Sequence, residues 1–407
     1  MTKFISTFFS ALFVLLVVSC NPTTSNQTGN EHSGKANNDS SLIIYAADGS
    51  VTSYNLELKK QNWEYKNPGE VVNWDNTFTI ENDLVYVPFS KGTVVALNAR
   101  NGEIKWTRQL LSGQDLSGLK DARNEAIDSS YVITGQSAMV DKDKIYISAR
   151  NSRLYALDKN DGKILWKAAL NNSYTNYPPL SMEGFLYTNN ATFLYKFDTK
   201  DGKQIWQKEF QKHPLNAEPV SDGKHIYTSD SFTELYATGQ DSRQQWKFKS
   251  ATDGGLTYDH LVLGSGIVYV MNGDLKDNTT IIGVSTSNGA KKWSSVIENE
   301  TVTYFTLIGD TIYAYSDETL IVLDAQTGEQ QFKGEFPSFD QPGQENAISN
   351  IVEKEPGIIM FLSNNGLVSF ETATGEFSID YGIQAPQSIF PRNVTWISLL
   401  PAKLSMK

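Results

Sequence analysis

The stretch LYALDKNDGKILW, residues Leu154–Trp166, recurs along the chain with small changes. Four further copies keep its length and its order of apolar, turn and aromatic residues: LYKFDTKDGKQIW (Leu194–Trp206), VVALNARNGEIKW (Val94–Trp106), IIGVSTSNGAKKW (Ile281–Trp293) and LIVLDAQTGEQQF (Leu320–Phe332). Such a repeat indicates stacked units, because each copy hides its apolar face only against its neighbours.

Three weaker copies complete the series: VTSYNLELKKQNW (Val51–Trp63), LYATGQDSRQQW (Leu235–Trp246) and LVSFETATGEFSI (Leu367–Ile379). The first has Lys59 in place of glycine, the second is one residue shorter, and the third ends in isoleucine. The closing residues of successive copies are 39 to 60 positions apart. This period is typical of a four-stranded propeller blade, so the sequence predicts eight blades.

Each copy has the pattern of a β-hairpin. Leu154–Leu157 predicts a strand, Asp158–Gly162 a turn, and Lys163–Trp166 the start of the next strand. Most copies follow a further alternating apolar run: Leu84–Val87, Ile145–Ile147, Leu186–Thr188, Ile226–Thr228, Val268–Val270 and Ile312–Ala314. Shorter apolar stretches such as Phe78–Ile80 come earlier still. The prediction is an all-β, eight-bladed β-propeller of four-stranded antiparallel blades.

The two ends of the propeller predict how the ring closes. The first unit lacks an early strand, because the polar stretch Asn21–Ser40 precedes it, whereas the strand-like run Val394–Leu400 is left over at the C-terminus. A closed ring removes free sheet edges when both termini share one blade. Val394–Leu400 is therefore expected to be the innermost strand of the first blade. The propeller is expected to span residues 41–401, with a tail over 402–407.

The N-terminus has the pattern of an export signal. Lys3 precedes the apolar run Phe4–Val18, and a small-residue site ends at Cys20. This segment resembles a bacterial lipoprotein signal: residues 1–19 would be removed, Cys20 lipidated, and residues 20–40 would form a flexible tether. The alternative is an ordinary signal peptide. Cys20 is the chain's one cysteine, so no intramolecular disulfide is possible.

Composition and motifs do not predict a catalytic site. A net charge of −11 argues against a nucleic acid partner. The four histidines, His32, His213, His225 and His260, lack the local spacing of a zinc pair, and the Asp-rich turns lack the ligand pattern of a calcium loop. A nucleophile elbow, a phosphate loop and a dinucleotide fingerprint are also absent. No catalytic, metal-binding or cofactor-binding residue is predicted.

The repeat also carries a family resemblance. The pattern Ala-Leu-Asp/Asn-x-x-x-Gly-x-x-x-Trp, at Ala156–Trp166 and Ala96–Trp106, resembles the tryptophan-docking motif of the pyrroloquinoline-quinone-type eight-bladed propellers, over Leu42–Leu400. The resemblance implies that the closing tryptophans pack between neighbouring blades, with Phe332 and Ile379 as weaker substitutes. These tryptophans are Trp63, Trp106, Trp166, Trp206, Trp246 and Trp293.

Two kinds of protein share this motif. The quinoprotein dehydrogenases hold their quinone beside a disulfide between adjacent cysteines, with a calcium ion and a catalytic Asp. This chain has no cysteine in the propeller, and none of its Asp residues matches the catalytic one. The other kind consists of non-catalytic lipoproteins such as the propeller subunit of the outer-membrane β-barrel assembly machinery. Signal, tether and a single propeller make the chain more similar to these, which implies no cofactor.

Two insertions interrupt the repeat. LLSGQDLSGLKDARNEAIDSS, Leu110–Ser130, adds about 20 residues between blades, and NGDLKDN, Asn272–Asn278, lengthens a turn between middle strands. Since antiparallel strands alternate in direction, both are expected at one end of the ring. Long loops often carry function, although surface loops also accept idle insertions. The candidate partner face consists of Leu116, Leu119, Arg123, Asp274, Leu275 and Asp277.

These features predict a protein-binding scaffold, lipid-anchored to a bacterial outer membrane and facing the periplasm. Its expected partner is an envelope protein, with the β-barrel assembly complex as the candidate. The alternatives are a quinone-binding, dehydrogenase-like enzyme and an extracellular glycan or protein binder.

Overall fold

The computed structural model describes residues 40–46, 48–67, 77–111, 138–149, 151–171, 177–210, 213–230, 234–250, 260–274, 278–337, 348–384 and 396–400. In these ranges the chain forms thirty-two β-strands and no helix. The strands make eight four-stranded antiparallel sheets, which are the blades of a propeller ring. The predicted all-β, eight-bladed architecture is confirmed. No helix able to cross a membrane occurs in the described ranges.

The first four blades each run from an innermost to an outermost strand. Blade 1 consists of β32 (Trp396–Leu400), β1 (Ser41–Tyr45), β2 (Ser50–Asn55) and β3 (Lys60–Lys66). Blade 2 consists of β4 (Thr79–Glu81), β5 (Leu84–Pro88), β6 (Thr93–Asn98) and β7 (Ile104–Gln109). Blade 3 consists of β8 (Met139–Asp141), β9 (Lys144–Ala149), β10 (Arg153–Asp158) and β11 (Ile164–Ala169). Blade 4 consists of β12 (Leu180–Met182), β13 (Phe185–Asn190), β14 (Phe193–Asp198) and β15 (Gln204–Glu209).

The last four blades follow the same order. Blade 5 consists of β16 (Val220–Ser221), β17 (His225–Ser229), β18 (Glu234–Gly239) and β19 (Gln244–Lys249). Blade 6 consists of β20 (Val262–Gly264), β21 (Ile267–Gly273), β22 (Thr279–Ser285) and β23 (Lys291–Ile297). Blade 7 consists of β24 (Tyr304–Ile308), β25 (Thr311–Tyr315), β26 (Thr319–Asp324) and β27 (Gln330–Glu335). Blade 8 consists of β28 (Val352–Glu355), β29 (Ile358–Ser363), β30 (Gly366–Glu371) and β31 (Glu376–Asp380).

The core lies between adjacent blades. The short first strands of neighbouring blades contact one another, for example β20 with β24 and β28 with β32, which places these strands around the ring's axis. The second and third strands are almost entirely buried, and they pack their β-branched and aromatic side chains against the next blade. The outermost strands alternate between exposed positions and buried or half-buried ones, as an edge that faces water on one side should.

The ring closes as the sequence predicts. The strand β32 pairs antiparallel with β1, from Ser41 opposite Leu400 to Tyr45 opposite Trp396. The Asn350 side chain, at the entry to blade 8, also holds this strand. Its Nδ2 donates to the Ile397 carbonyl at 2.9 Å, and the Ile397 N–H donates to Asn350 Oδ1 at 2.6 Å.

The turn before each outermost strand has a constant geometry. In blades 1 to 7 the register of the third and outermost strands shifts by a bulge, and a residue with positive φ lies in the turn. Glycine fills that position in most copies, since it adopts positive φ without a steric penalty. Two of the three weaker copies reach the same region without glycine, at Lys59 (φ 50°) and Ser242 (φ 71°). Both copies therefore still place a residue with positive φ in this turn, although the turn of blade 5 is one residue shorter.

Candidate functional site

The ring has two ends that carry different kinds of loop. We name the turn face after the turns between first and second and between third and outermost strands. The connection face carries the turns between second and third strands and the connections between blades. Backbone hydrogen bonds join these last two classes: the Leu110 N–H donates to Gly92 O at 2.8 Å, and the Leu170 N–H to Ser152 O at 2.9 Å. Both insertions therefore leave from the connection face.

Of the six residues of the candidate partner face, only Asp274 is described. Leu116, Leu119, Arg123, Leu275 and Asp277 lie outside the described residues. Asp274 is exposed, and its Oδ1 and Oδ2 accept hydrogen bonds from the Asn278 backbone N–H (3.0 Å) and Nδ2 (2.8 Å). Asn278 Oδ1 in turn accepts the Asn299 N–H at 2.9 Å, which ties the base of this loop to the connection entering blade 7. The binding role of the six residues stays a prediction.

Leu110 requires a correction. The insertion predicted from the sequence begins at this residue, but its side chain is 1% exposed and packs in the core between blades 2 and 3. Leu111 packs against the same cluster. The position four residues after the closing aromatic is also buried in other blades, at Leu170, Phe210 and Phe336. That spacing would have identified Leu110 as a core residue, because it recurs wherever an outermost strand ends.

Sequence reasoning also missed a buried acidic cluster in blade 5. Asp230 and Glu234 flank the turn between its second and third strands, and both side chains are buried. The Tyr236 hydroxyl donates to Glu234 Oε2 at 2.5 Å, and Lys247 Nζ lies 2.8 Å from Glu234 Oε1. Burial, and then the bond to Glu234, raises the pKa of Tyr236. Because each group has a partner, the cluster stabilises this end of the blade. Its sequence signal is the spacing of the three residues in DSFTELY.

The repeat tryptophans lie at the junctions between blades. Five of the six pack the indole against the turn glycine of the next blade: Trp63 on Gly102, Trp106 on Gly162, Trp166 on Gly202, Trp246 on Gly289 and Trp293 on Gly328. A Cβ added at any of these glycines would come within 3 Å of indole carbons. Four of the tryptophans also donate from Nε1 to a backbone carbonyl in that turn: Trp106 to Lys159, Trp166 to Thr199, Trp246 to Thr286 and Trp293 to Ala325. Phe332 occupies the same position against Gly375.

The junction between blades 4 and 5 has a different arrangement. The turn of blade 5 is the short copy without glycine, and Trp206 Nε1 donates to its Gln240 carbonyl at 2.9 Å. Lys196 pairs with Trp206 across the strands, where blades 2, 3 and 5 have alanine. Its Nζ donates to the same carbonyl at 3.1 Å and lies 3.9 Å from the Phe185 ring centroid. Burial lowers the pKa of Lys196. A lysine thus fills the space that the shorter turn leaves.

The histidines of the described ranges lie apart from one another. His225 Nδ1 is 3.5 Å from Asp222 Oδ2, and His260 Nδ1 is 3.5 Å from Glu218 Oε1, while His32 lies outside these ranges. No three His, Cys, Asp or Glu side chains of the described residues are placed to hold a metal ion. The part of the chain that the structure describes therefore offers no cluster of these side chains for a calcium ion.

Several solved structures share the fold. BamB from Moraxella catarrhalis superposes with a TM-score of 0.58 at 16% identity, covering 80% of this chain and 92% of its own. A quinohemoprotein alcohol dehydrogenase from Pseudomonas putida gives a TM-score of 0.60 at 11% identity, covering 93% of this chain and 77% of its own. Apo AztD from Citrobacter koseri also gives a TM-score of 0.60 at 11% identity, covering 89% of this chain and 99% of its own.

Sequence comparisons are more selective. An uncharacterized protein of Rickettsia conorii is 24% identical over 156 residues, which is 38% of this chain and 36% of that protein. An uncharacterized protein from Rickettsia prowazekii is 23% identical over 132 residues, which is 32% of this chain and 30% of that protein. These matches span about a third of the length of the curated relatives. The family model described as outer membrane protein assembly factor BamB matches residues 23–140, 133–237, 190–252 and 231–389. Because these matches together account for most of the chain, the protein belongs to the BamB family.

Proposed function

We propose that this protein is a lipid-anchored scaffold of the bacterial cell envelope that binds another envelope protein during the assembly of outer-membrane β-barrel proteins. The observation that carries the proposal is the match of the BamB family model along residues 23–389. A BamB-like propeller supports a protein-binding scaffold at the level of the family.

The placement of the chain ends supports the connection face as the binding surface. Ser41 at the start of β1 lies opposite Leu400 at the end of β32, and both residues are at the turn face. The stretch from Cys20 to Ser40 precedes this point, so a lipid on Cys20 would hold the propeller by its turn face. The connection face, with both insertions, would then point away from the anchor. A partner of the scaffold would reach it there without competing with the tether.

A loop replacement tests the binding surface. Residues 112–130 are replaced by a short Gly/Ser link, while Leu110 and Leu111 are kept because they belong to the core. Wild type and variant are then used to capture proteins from the same detergent-solubilised membranes. We expect the variant to stay folded and to lose a specific envelope protein. A matched control, Lys224→Ser, changes an exposed side chain on the turn face and should keep it. An unchanged set of captured proteins would dismiss the inserted loop as the binding site.

A cell-fractionation experiment tests the anchor. Cys20→Ala removes the proposed attachment atom, and we expect the protein to move from the membrane fraction to the soluble fraction. Membrane association that persists in high salt would argue for a tight protein receptor instead. Protease treatment of whole cells separates a periplasmic protein, which stays protected, from the extracellular binder. Measuring quinone and metal in the purified protein tests the dehydrogenase alternative.

A further inference from the structure

Four successive blades expose a large apolar side chain at one edge of the ring. These residues are Leu58 (59% exposed), Ile104 (52%), Leu165 (42%) and Ile205 (47%), in blades 1 to 4. Each lies within the turn before the outermost strand or within the first two residues of that strand. They all therefore lie at the turn-face end of the outer edge. We call these four residues the rim stripe.

The repeat itself does not require apolar residues there. The first two residues of the outermost strand are Gln244 and Gln245 in blade 5, Lys291 and Lys292 in blade 6, and Gln330 and Gln331 in blade 7. Polar and charged residues on an edge strand discourage pairing with other chains. The rim stripe instead exposes a large apolar side chain in four neighbouring blades, and such an exposed apolar surface is typical of a site that contacts a membrane or another molecule.

Each member of the rim stripe has an exposed lysine within two positions: Lys60, Lys105, Lys163 and Lys203. Of the nearby carboxylates, Asp161 and Asp201 accept the backbone N–H groups of Lys163 (2.8 Å) and Lys203 (2.9 Å) in their own turns, and Glu103 Oε2 lies 3.6 Å from Lys105 Nζ. An apolar side chain beside a lysine suits the headgroup region of a bilayer, because the first enters the apolar layer while the ammonium group reaches the phosphates.

The N-terminal segment leaves the propeller beside this stripe. The Ser40 carbonyl accepts the N–H of Leu56, two residues before Leu58, at 3.2 Å. A flexible tether of the length of residues 20–40 has a root-mean-square span of about 25 Å. A lipid on Cys20 would thus keep blade 1 and its neighbours close to the bilayer, where weak contacts act at a high effective concentration.

The charges of the turn face favour an edge-on contact. Its inner turns carry carboxylates around the axis, at Glu81, Asp141, Glu183, Asp222 and Asp310. An anionic bilayer would repel these groups if the ring lay flat against it. A tilt that lowers the edge of blades 1 to 4 brings the rim stripe and its lysines to the surface and keeps the carboxylates of the inner turns farther away, while Glu57 and Glu103 stay beside the stripe.

We propose that the rim stripe is a membrane-contact surface, by which the propeller rests edge-on against a bilayer containing anionic lipid. The proposal rests on the lipid anchor of the proposed function only for the proximity of the membrane. Contact between the rim stripe and lipid is a property of the propeller, so it can be measured without the acyl chains.

The test uses the full chain carrying Cys20→Ala, with vesicles of phosphatidylglycerol and phosphatidylethanolamine. The stripe variant adds Leu58→Gln, Ile104→Gln, Leu165→Gln and Ile205→Gln. The matched control adds Val296→Gln and Tyr381→Gln, two equally exposed apolar residues at the connection-face end. In co-sedimentation we expect the stripe variant to bind at least about tenfold more weakly, since four apolar anchors are lost. The control should bind like the parent protein.

A fluorescence measurement covers the case in which the stripe variant misfolds. The Cys20→Ala protein has no cysteine, so Ile205→Cys or Val296→Cys introduces a single site for an environment-sensitive dye. A blue shift with vesicles at residue 205 and none at residue 296 supports the proposal. Three results would overturn the proposal. The parent protein does not bind vesicles, the dye shifts equally at both sites, or a folded stripe variant binds vesicles normally but loses a captured envelope protein. Partner capture with the loop replacement is measured separately, so failure of the two proposals is distinguishable.

Discussion

Trp166 of blade 3 lies directly against Gly202 of blade 4, and a Cβ at Gly202 would be 2.5 Å from Trp166 Cε3. The indole Nε1 donates to the Thr199 carbonyl of the same turn at 3.2 Å. Gly202 therefore has two functions: it adopts a φ of +72°, and it leaves room for the ring of the preceding blade. The motif thus holds adjacent blades together, because the turn of one blade packs against the tryptophan of the preceding blade.

Substitution of Gly202 should separate these two functions. Gly202→Ala adds strain at positive φ and a clash with Trp166, so we expect a loss of about 2–4 kcal/mol in the free energy of unfolding. Gly184→Ala is the matched control, because Gly184 has a φ of +81° and no atom within 4 Å of an added Cβ. It should lose only about 1–2 kcal/mol. Denaturant unfolding measures both, and equal losses would mean that the indole contact adds nothing.

The Asn350 side chain should stabilise the ring closure. It exchanges two buried hydrogen bonds with Ile397 of β32, so Asn350→Ala should lower the free energy of unfolding by about 2–3 kcal/mol. In a chain that ends before residue 396, the Asn350 side chain has no strand to hold. The same substitution should then cost much less. Denaturant melts of Asn350→Ala, of the truncated chain and of the chain with both changes measure this coupling. Losses of stability that simply add would contradict it.

The sequence predicts the fold because each blade repeats the same physical problem. The period, the turn chemistry and the need to remove free edges lead to eight blades and to closure by the C-terminal strand. Even the copy with Lys59 is placed correctly, since its closing Trp63 and its apolar alternation outweigh the missing glycine. Local pattern and global architecture agree at these positions.

The departures from the repeat are harder to predict, because they depend on the neighbouring blade. In the sequence, Lys196 is a charged residue within a predicted strand, yet its side chain is buried against the shorter turn of blade 5. The sequence predicts that Leu110 is part of a loop, but its side chain belongs to the core. The rim stripe becomes visible only when the blades are aligned in space, since its members are far apart along the chain.

The buried tyrosines of the second strands should make the protein sensitive to alkaline pH. Burial raises the pKa of Tyr86, Tyr146, Tyr187 and Tyr269 to about 12, from an ordinary value of 10.0. Between these two values the folded state keeps protons that the unfolded chain releases. Rising pH therefore lowers the free energy of unfolding, and the loss begins near pH 10. We expect denaturant midpoints to fall from about pH 10 to about pH 12.

Tyrosinate absorbance in the ultraviolet should rise together with unfolding over that range. Tyr86→Phe provides a control, because the Tyr86 hydroxyl has no hydrogen-bond partner within the described ranges. Near neutral pH the substitution should change stability little, and it should reduce the alkaline loss. Ionisation of Tyr86 near pH 10 in a protein that stays folded, measured as the difference in absorbance between wild type and Tyr86→Phe, would contradict the predicted burial.

Lys196 should stabilise the fold less at neutral pH than at high pH. Burial lowers its pKa in the folded state from the ordinary value of 10.5, so folding is opposed by the protonated form. This penalty is complete below the pKa of Lys196 in the folded protein, and it disappears as the pH rises to the pKa of the unfolded chain.

Lys196→Met keeps the volume and removes the charge, and its free energy of unfolding should lie within about 1 kcal/mol of wild type near neutral pH. Lys196→Ala should lose about 2–3 kcal/mol, because it leaves a cavity beside Phe185 and Trp206. The stability of wild type relative to Lys196→Met should then increase towards pH 10.5. Lys200→Met, at an exposed position, is the control for the loss of one lysine. Denaturant melts of the four proteins across this pH range measure the difference, and a constant gap between wild type and Lys196→Met would show that the buried ammonium group carries no desolvation penalty.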